Sequence, residues 1–218
     1  MKRRERFFTI FTLGLLSAVG PFSIDMYLPG FPDIARDLQT TVAHITLSIT
    51  SFFIGISIGQ LIYGPLLDKY GRKKTLYVGL VIYILASLGC TYAPSADILI
   101  GIRFLQALGA CAGMVAARAL VRDIFPVNEN AKVFSLLMLV IAVSPIIAPT
   151  LGGYLTALFG WRVIFLVLLA IGVITIFFAY FFLPPGREPN TGLSLRPVSI
   201  TKGFLEVVKV PQFYTYAF

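Results

Sequence analysis

Gly64-Pro65-Leu66-Leu67-Asp68-Lys69-Tyr70-Gly71-Arg72-Lys73-Lys74 places one acid, four bases and two glycines between two long apolar runs. Val42 to Leu67 before it contains no Asp, Glu, Lys or Arg, and neither does Thr75 to Ala96 after it. Each run is long enough to cross a bilayer as a helix, so the stretch reads as a short, basic, glycine-bearing turn between two spans. Positive charge on a short loop holds that loop in the cytoplasm, and the turn therefore orients the rest of the chain.

Working outward, the whole chain has the same character. Of 218 residues, 57% are apolar and only 13% charged, and the mean hydropathy is +0.86. Soluble domains carry about 25% charged residues, which excludes a water-covered surface. The net charge of +8 does not point to nucleic acid, because the bases cluster at helix ends and not on an aromatic-interleaved face. Cys90 and Cys111 both fall in apolar stretches without metal or redox spacing, and read as buried reduced thiols. No metal site, nucleophile turn or phosphate loop stands out, so an enzyme finds no support and no cofactor is expected.

Six spans are expected, at 7–29, 42–67, 75–93, 97–121, 132–158 and 161–183. The basic start (Lys2, Arg3, Arg4, Arg6) before an apolar run could be a secretory signal, but Pro21 follows the only small-residue cluster and five more runs follow. Base counting tests the topology. Fourteen Lys and Arg fall on the starting segment, the loops after spans two and four, and the segment after span six; Arg36 and Arg162 alone lie on the other side. Both ends are expected in the cytoplasm.

The amino-terminal six-helix bundle is expected over 1–183. Pro184 to Asn190 breaks the last span. A connector is expected over 184–210, with a short interfacial helix from Val198 to Val210. Residues 211–218 turn apolar and aromatic, as the first turns of a seventh span would, and the chain reads as a fragment.

An internal repeat is visible without reference to any other protein. Gly64-x-Leu66-x-x-x-Tyr70-Gly71-Arg72-Lys73 returns 89 residues later as Gly153-x-Leu155-x-x-x-Phe159-Gly160-Trp161-Arg162. The first copy closes span two inside and the second closes span five outside, as an inverted three-plus-three repeat requires. The fold class expected is all-α and integral to the membrane.

Charges inside the spans carry the functional reading. Asp25, Arg103 and, less deeply, Arg118 cannot be helix-end decoration, and a charge at membrane depth costs about 3 kcal/mol or more unless a cavity or partner receives it. Asp25 and Arg103 lie level with one another, roughly 7–9 Å below the outer face. A titratable acid beside a fixed cation can exchange a proton for a cargo. A static ion pair between two helices is the plainer alternative, and Asp25 could also be an interfacial residue. His44, the only histidine, begins span two and reads as interfacial. Asp123 at the inner end of span four is a candidate partner for Arg72, either as part of a cytoplasmic latch or within a simple topology anchor.

Four segments carry a resemblance. The opening stretch resembles the signature loop of the major facilitator superfamily, Gly-x-Leu-x-Asp-x-x-Gly-Arg-Lys/Arg, here Gly64, Leu66, Asp68, Gly71, Arg72 and Lys73. Arg103, Gln106 and Gly109 resemble the fourth-helix pattern, which implies proton coupling for Arg103 with Gln106 in support. Ser144-Pro145-Ile146-Ile147-Ala148-Pro149-Thr150-Leu151-Gly152-Gly153 resembles the antiporter motif Gly-x-x-x-Gly-Pro-x-x-Gly-Gly, with Ser144 and Ala148 in place of its first two glycines. Two prolines four apart should bend that helix. Asp25-Met26-Tyr27-Leu28-Pro29 looks like the bicyclomycin and chloramphenicol resistance exporters, the Bcr/CflA branch of drug:proton antiporters.

The resemblance implies a bacterial inner-membrane exporter of lipophilic drugs, driven by protons and completed by a carboxy-terminal six-helix half. Asp25 would carry the proton and Arg103 would tune it. Phe22, Tyr27, Phe52 and Gln106 are candidate cavity residues. A proton-coupled transporter of a small metabolite is the alternative, and a non-transporting scaffold or truncated half is a third. The 19 Phe favour a drug.

Overall fold

The computed structural model describes residues 3–190 and 192. The expected interfacial helix at 198–210 and the expected start of a seventh span at 211–218 lie outside the described residues. The described chain is helical: α1 Arg3–Asp25, a 3-10 turn Leu28–Gly30, α2 Phe31–Asp37, α3 Val42–Tyr70, α4 Arg72–Thr91, α5 Ala96–Ile124, α6 Val127–Phe159 and α7 Arg162–Phe182. Among the described residues six helical segments are long and apolar enough to cross a membrane. The protein is a multi-pass membrane bundle.

The helices run past the apolar windows from which they were expected. α3 continues to Tyr70, α4 already begins at Arg72 and α6 begins at Val127. Hydropathy marks the part immersed in hydrocarbon, whereas the hydrogen-bond ladder continues through the charged residues beyond it. The first span departs more sharply. α1 stops at Asp25, and Tyr27 N–H and Gly30 N–H close tight turns onto Ile24 and Tyr27 carbonyls. Pro29 and Pro32 supply no donor there, so the continuous helix gives way to a turn and the short α2. Elsewhere the ends are conventional. Thr41 caps α3 by accepting from His44 N–H, and Ser95 caps α5 by accepting from Ile98 N–H.

α5 is the centre of the bundle, packed most extensively on α3 and α4, with α1 against α5, α6 and α7. Small residues set these approaches. A side chain at Gly55 of α3 would meet the Phe104 carbonyl and the Ala107 methyl of α5 at 2.7 Å, and one at Gly109 would enter the Tyr83 main chain of α4. Lipid offers apolar side chains no penalty for staying apart, so close backbone approach is what brings such helices together. α6 and α3 bury the smallest share of their apolar windows, 22% and 28%, and present long apolar faces outward.

The turns after α3 and α6 lie at opposite ends of the bundle. Gly71 sits beside Pro189, and Asn190 N–H donates to the Asp68 carbonyl at the basic end. At the far end Gly30 lies against Thr156 and Ile164.

Candidate functional site

Arg103, on the second turn of α5, is fully buried. Its Nη1 donates to Gln106 Oε1 at 2.6 Å and its Nη2 to the Ser23 carbonyl at 3.0 Å. The Gln106 amide in turn donates to Ser87 Oγ at 2.8 Å, which donates to the Tyr83 carbonyl at 2.7 Å. The rings of Phe52 and Tyr27 lie 4.2 and 4.6 Å from the guanidinium carbon, with Phe165 at 5.9 Å. Among the described residues Arg103 Nε has no hydrogen-bond partner. A charge at this depth is costly, and here hydrogen bonds and aromatic faces offset the cost where a carboxylate would ordinarily do so.

Asp25 is not that carboxylate. Among the described residues no ion pair joins Asp25 to Arg103; Asp25 Oδ2 instead accepts from Ser144 Oγ of α6 at 3.0 Å. The expected juxtaposition fails in direction. Ser23 turns its carbonyl to Arg103, and two further helical residues rotate the chain by about 200°, which aims Asp25 toward α6. Neither the static ion pair nor direct tuning of Asp25 by Arg103 is what the geometry holds.

The four cavity candidates separate for the same reason. Phe22 lines an apolar groove of about 500 Å³ between α1 and α6, with Phe7, Phe11, Leu15, Leu139 and Val140. Tyr27, Phe52 and Gln106 are instead fully buried in the core around Arg103. Period and composition identify the apolar residues of a span, but nearly uniform hydrophobicity hides which face is turned inward.

On α6, Ser144, Ala148 and Gly152 form one buried stripe at four-residue spacing. A side chain on Gly152 would collide with the Met26 main chain, so only glycine lets α6 close on the turn that follows Asp25. Pro145 is exposed and Pro149 half-buried, both off the stripe. A side chain at Gly153 would meet Pro29 at an ordinary contact distance of 3.8 Å.

At the basic end Arg72 Nε donates to Asp123 Oδ2 at 2.9 Å and Nη1 to Asp68 Oδ1 at 2.6 Å. The Arg72 and Asp123 side chains are only 11% and 12% exposed, against 51% for Asp68. Gly71 reaches this geometry at φ +90°, a backbone that any side chain would strain. Lys73 is half-buried on the first turn of α4, and a side chain at Gly64 would meet open space. One feature escaped the sequence reading: Arg187 N–H also donates to Asp123 Oδ2, at 3.2 Å, drawing the segment after α7 into the cluster.

The far end has its own cluster, also missed. Asp37 accepts from Trp161 Nε1 at 3.1 Å and from Arg162 Nη1, and Arg162 lies 4.3 Å from the Trp161 ring. The repeated Gly160-Trp161-Arg162 was the available signal, with Asp37 the acid within reach. His44 Nε2 meets Asp97 Oδ1 at 3.1 Å, tying the starts of α3 and α5. Cys90 and Cys111 are buried free thiols.

Residues 13–218 match the family described as the Major Facilitator Superfamily. The chain belongs to that superfamily. Both the Gly64–Lys73 segment and the Ser144–Gly152 face of α6 lie within the matched residues. Individual facilitators are similar over much of the chain. The Bicyclomycin resistance protein homolog of Haemophilus influenzae is 34% identical over 100% of this chain and 54% of its own length. The Chloramphenicol resistance protein of Pseudomonas aeruginosa is 37% identical over 72% of this chain and 38% of its own. An uncharacterized MFS-type transporter of Bacillus subtilis, YdgK, is 45% identical over 79% of this chain and 44% of its own. The chain spans about half the length of the curated relatives it matches.

Proposed function

We propose that this chain forms half of a proton-coupled exporter of lipophilic drugs in a bacterial inner membrane, with both chain ends in the cytoplasm. One observation carries the reading: the Asp25 carboxyl, half-buried and held by the antiporter helix through Ser144, sits at the α1–α6 junction that also forms the apolar groove beside Phe22. A site that exchanges proton for drug needs an acid and an apolar wall served by the same helices. The names of the Haemophilus and Pseudomonas relatives support a bicyclomycin- or chloramphenicol-like cargo, and the relatives' greater length supports a second six-helix half completing the wall.

In this reading Asp25 carries the proton and Arg103 supplies a fixed positive charge through the core of α5. Arg72, Asp68 and Asp123 latch the cytoplasmic end, and α6 seals against the other half. In this reading the drug crosses the membrane chemically unchanged, and the chain acts as half of a transporter.

The test uses inside-out vesicles containing the complete gene product, with vesicle acidity followed by a pH dye. Chloramphenicol or another lipophilic drug is expected to drain protons in the wild type and not in Asp25→Asn. Drainage by an amino acid or sugar and by none of the drugs would replace the exporter with a metabolite transporter.

A further inference from the structure

Two hydroxyls on α6 close onto their own helix. Ser135 and Thr150 donate to the Ala131 and Ile146 carbonyls four residues back. Ser144 does not. It is fully buried and gives its proton to Asp25 across the helix interface. The next residue, Pro145, has no N–H, so the Ile141 carbonyl loses the donor that an ordinary residue would bring it. Ile141 also precedes Ser144 by three residues, a separation at which a serine hydroxyl reaches its own helix, as Ser48 does onto Ile45 at 2.6 Å. One hydroxyl rotor thus has two acceptors, the Asp25 carboxylate and a carbonyl left open by proline.

We propose that Ser144 is a positioning residue for the proton site, donating to Asp25 while it is ionised and turning to the Ile141 carbonyl when Asp25 is protonated. This rests on the reading of Asp25 as the exchanged proton's site. The step balances simply: a proton from water adds to a carboxylate oxygen, forming one O–H bond, and Ser144 only rotates about Cα–Cβ. A proton arriving on Oδ2 would face the Ser144 hydrogen, and the hydroxyl moves to the free carbonyl. Serine back-bonding bends helices, and this bond would form where the α6 ladder is already open. Proton uptake therefore changes the hydrogen bonding of the helix that carries the antiporter stripe. Two residues before Asp25, Arg103 of α5 binds the Ser23 carbonyl and Tyr83 of α4 the Ser23 hydroxyl; Tyr27 follows on the same turn, and α6 and α7 carry their charges only near their ends. The glycine that the antiporter motif has at this place could not act in this way.

The test is an infrared titration of the Asp25 carboxyl in the full-length protein in nanodiscs, read as the difference from Asp25→Asn. Losing a donor to the ionised form should move the midpoint of Ser144→Ala and Ser144→Gly to higher pH by roughly one unit. Ser144→Thr, which keeps a hydroxyl, should stay within a few tenths of a unit. Wild-type midpoints in both the alanine and glycine variants would overturn the proposal. If alanine fails to fold, glycine, the motif's usual residue, carries the test alone. Drug-driven proton exchange is measured separately. A shifted midpoint without exchange would sink the exporter reading alone, and unshifted midpoints with Asp25-dependent exchange would sink only the role of Ser144.

Discussion

Gly71 and Gly160, 89 residues apart, occupy opposite ends of the bundle with the same left-handed backbone, φ +90° and +83°. Each ends a long helix, and each is followed within two residues by an arginine bound to aspartate: Arg72 to Asp68 and Asp123, Arg162 to Asp37. The inverted repeat visible in sequence is thus matched by backbone conformation and by ion pairing.

The glycines should differ in what they tolerate. Gly71→Ala and Gly160→Ala are expected to cost about 1–3 kcal/mol each, because a side chain is strained at that φ. Gly64→Ala, whose new methyl meets nothing within 4 Å, should leave stability unchanged. Thermal unfolding followed by fluorescence-detected size exclusion ranks the three. Equal melting temperatures for Gly64→Ala and Gly71→Ala would refute the argument.

The two carboxylates on Arg72 should be unequal. A double-mutant cycle on unfolding, pairing Arg72→Ala with Asp123→Ala, is expected to give a coupling of about 1–2 kcal/mol, since both side chains are shielded from water. The same cycle with Asp68→Ala, half exposed, should give less than about 1 kcal/mol. The reverse order would show that exposure does not set the strength of this cluster.

Arg103 should be worth more to transport than to folding. Removing Arg103 relieves the desolvation of a buried charge and leaves the Gln106 and Ser23 acceptors without their donor, two effects of several kcal/mol that oppose one another. Arg103→Met is therefore expected to retain the melting temperature within a few degrees and to lose drug-driven proton exchange. A variant that aggregates while Arg103→Lys behaves as wild type would make the arginine structural.

Phe22 and Phe52 separate groove from core. Phe22→Ala should weaken drug binding, measured as Kd by equilibrium dialysis, by roughly 1–2 kcal/mol of lost apolar contact, with stability unchanged. Phe52→Ala should instead lower stability by about 3–5 kcal/mol, because its ring is fully buried against Arg103. Equal losses of affinity from the two would mean that the groove is not the drug site.

Much of this molecule was legible before its structure. Runs of apolar residues, a basic turn and two glycines state how many helices there are and where they reverse, because a bilayer permits few other solutions. Rotation was not legible. Tyr27 and Phe22 are five residues apart on strongly apolar chain, and nothing in their neighbours says that one faces a guanidinium and the other a groove. Asp37 was hidden differently: its partners lie more than a hundred residues away, and only the repeat around Gly160 hinted that an acid was needed.

Arg103 is solvated by amide oxygens and ring faces with no carboxylate beside it, roughly 10 Å in from the start of α5. A full crossing of one charge at 100 mV is worth about 2.3 kcal/mol, but in the proposed cycle an ionised Asp25, two residues past the Ser23 carbonyl that Arg103 binds, offsets the guanidinium. Protonation of Asp25 removes that offset and leaves Arg103 as an uncompensated charge. The bundle's tilt then becomes a quantity that the membrane potential biases once a proton has bound.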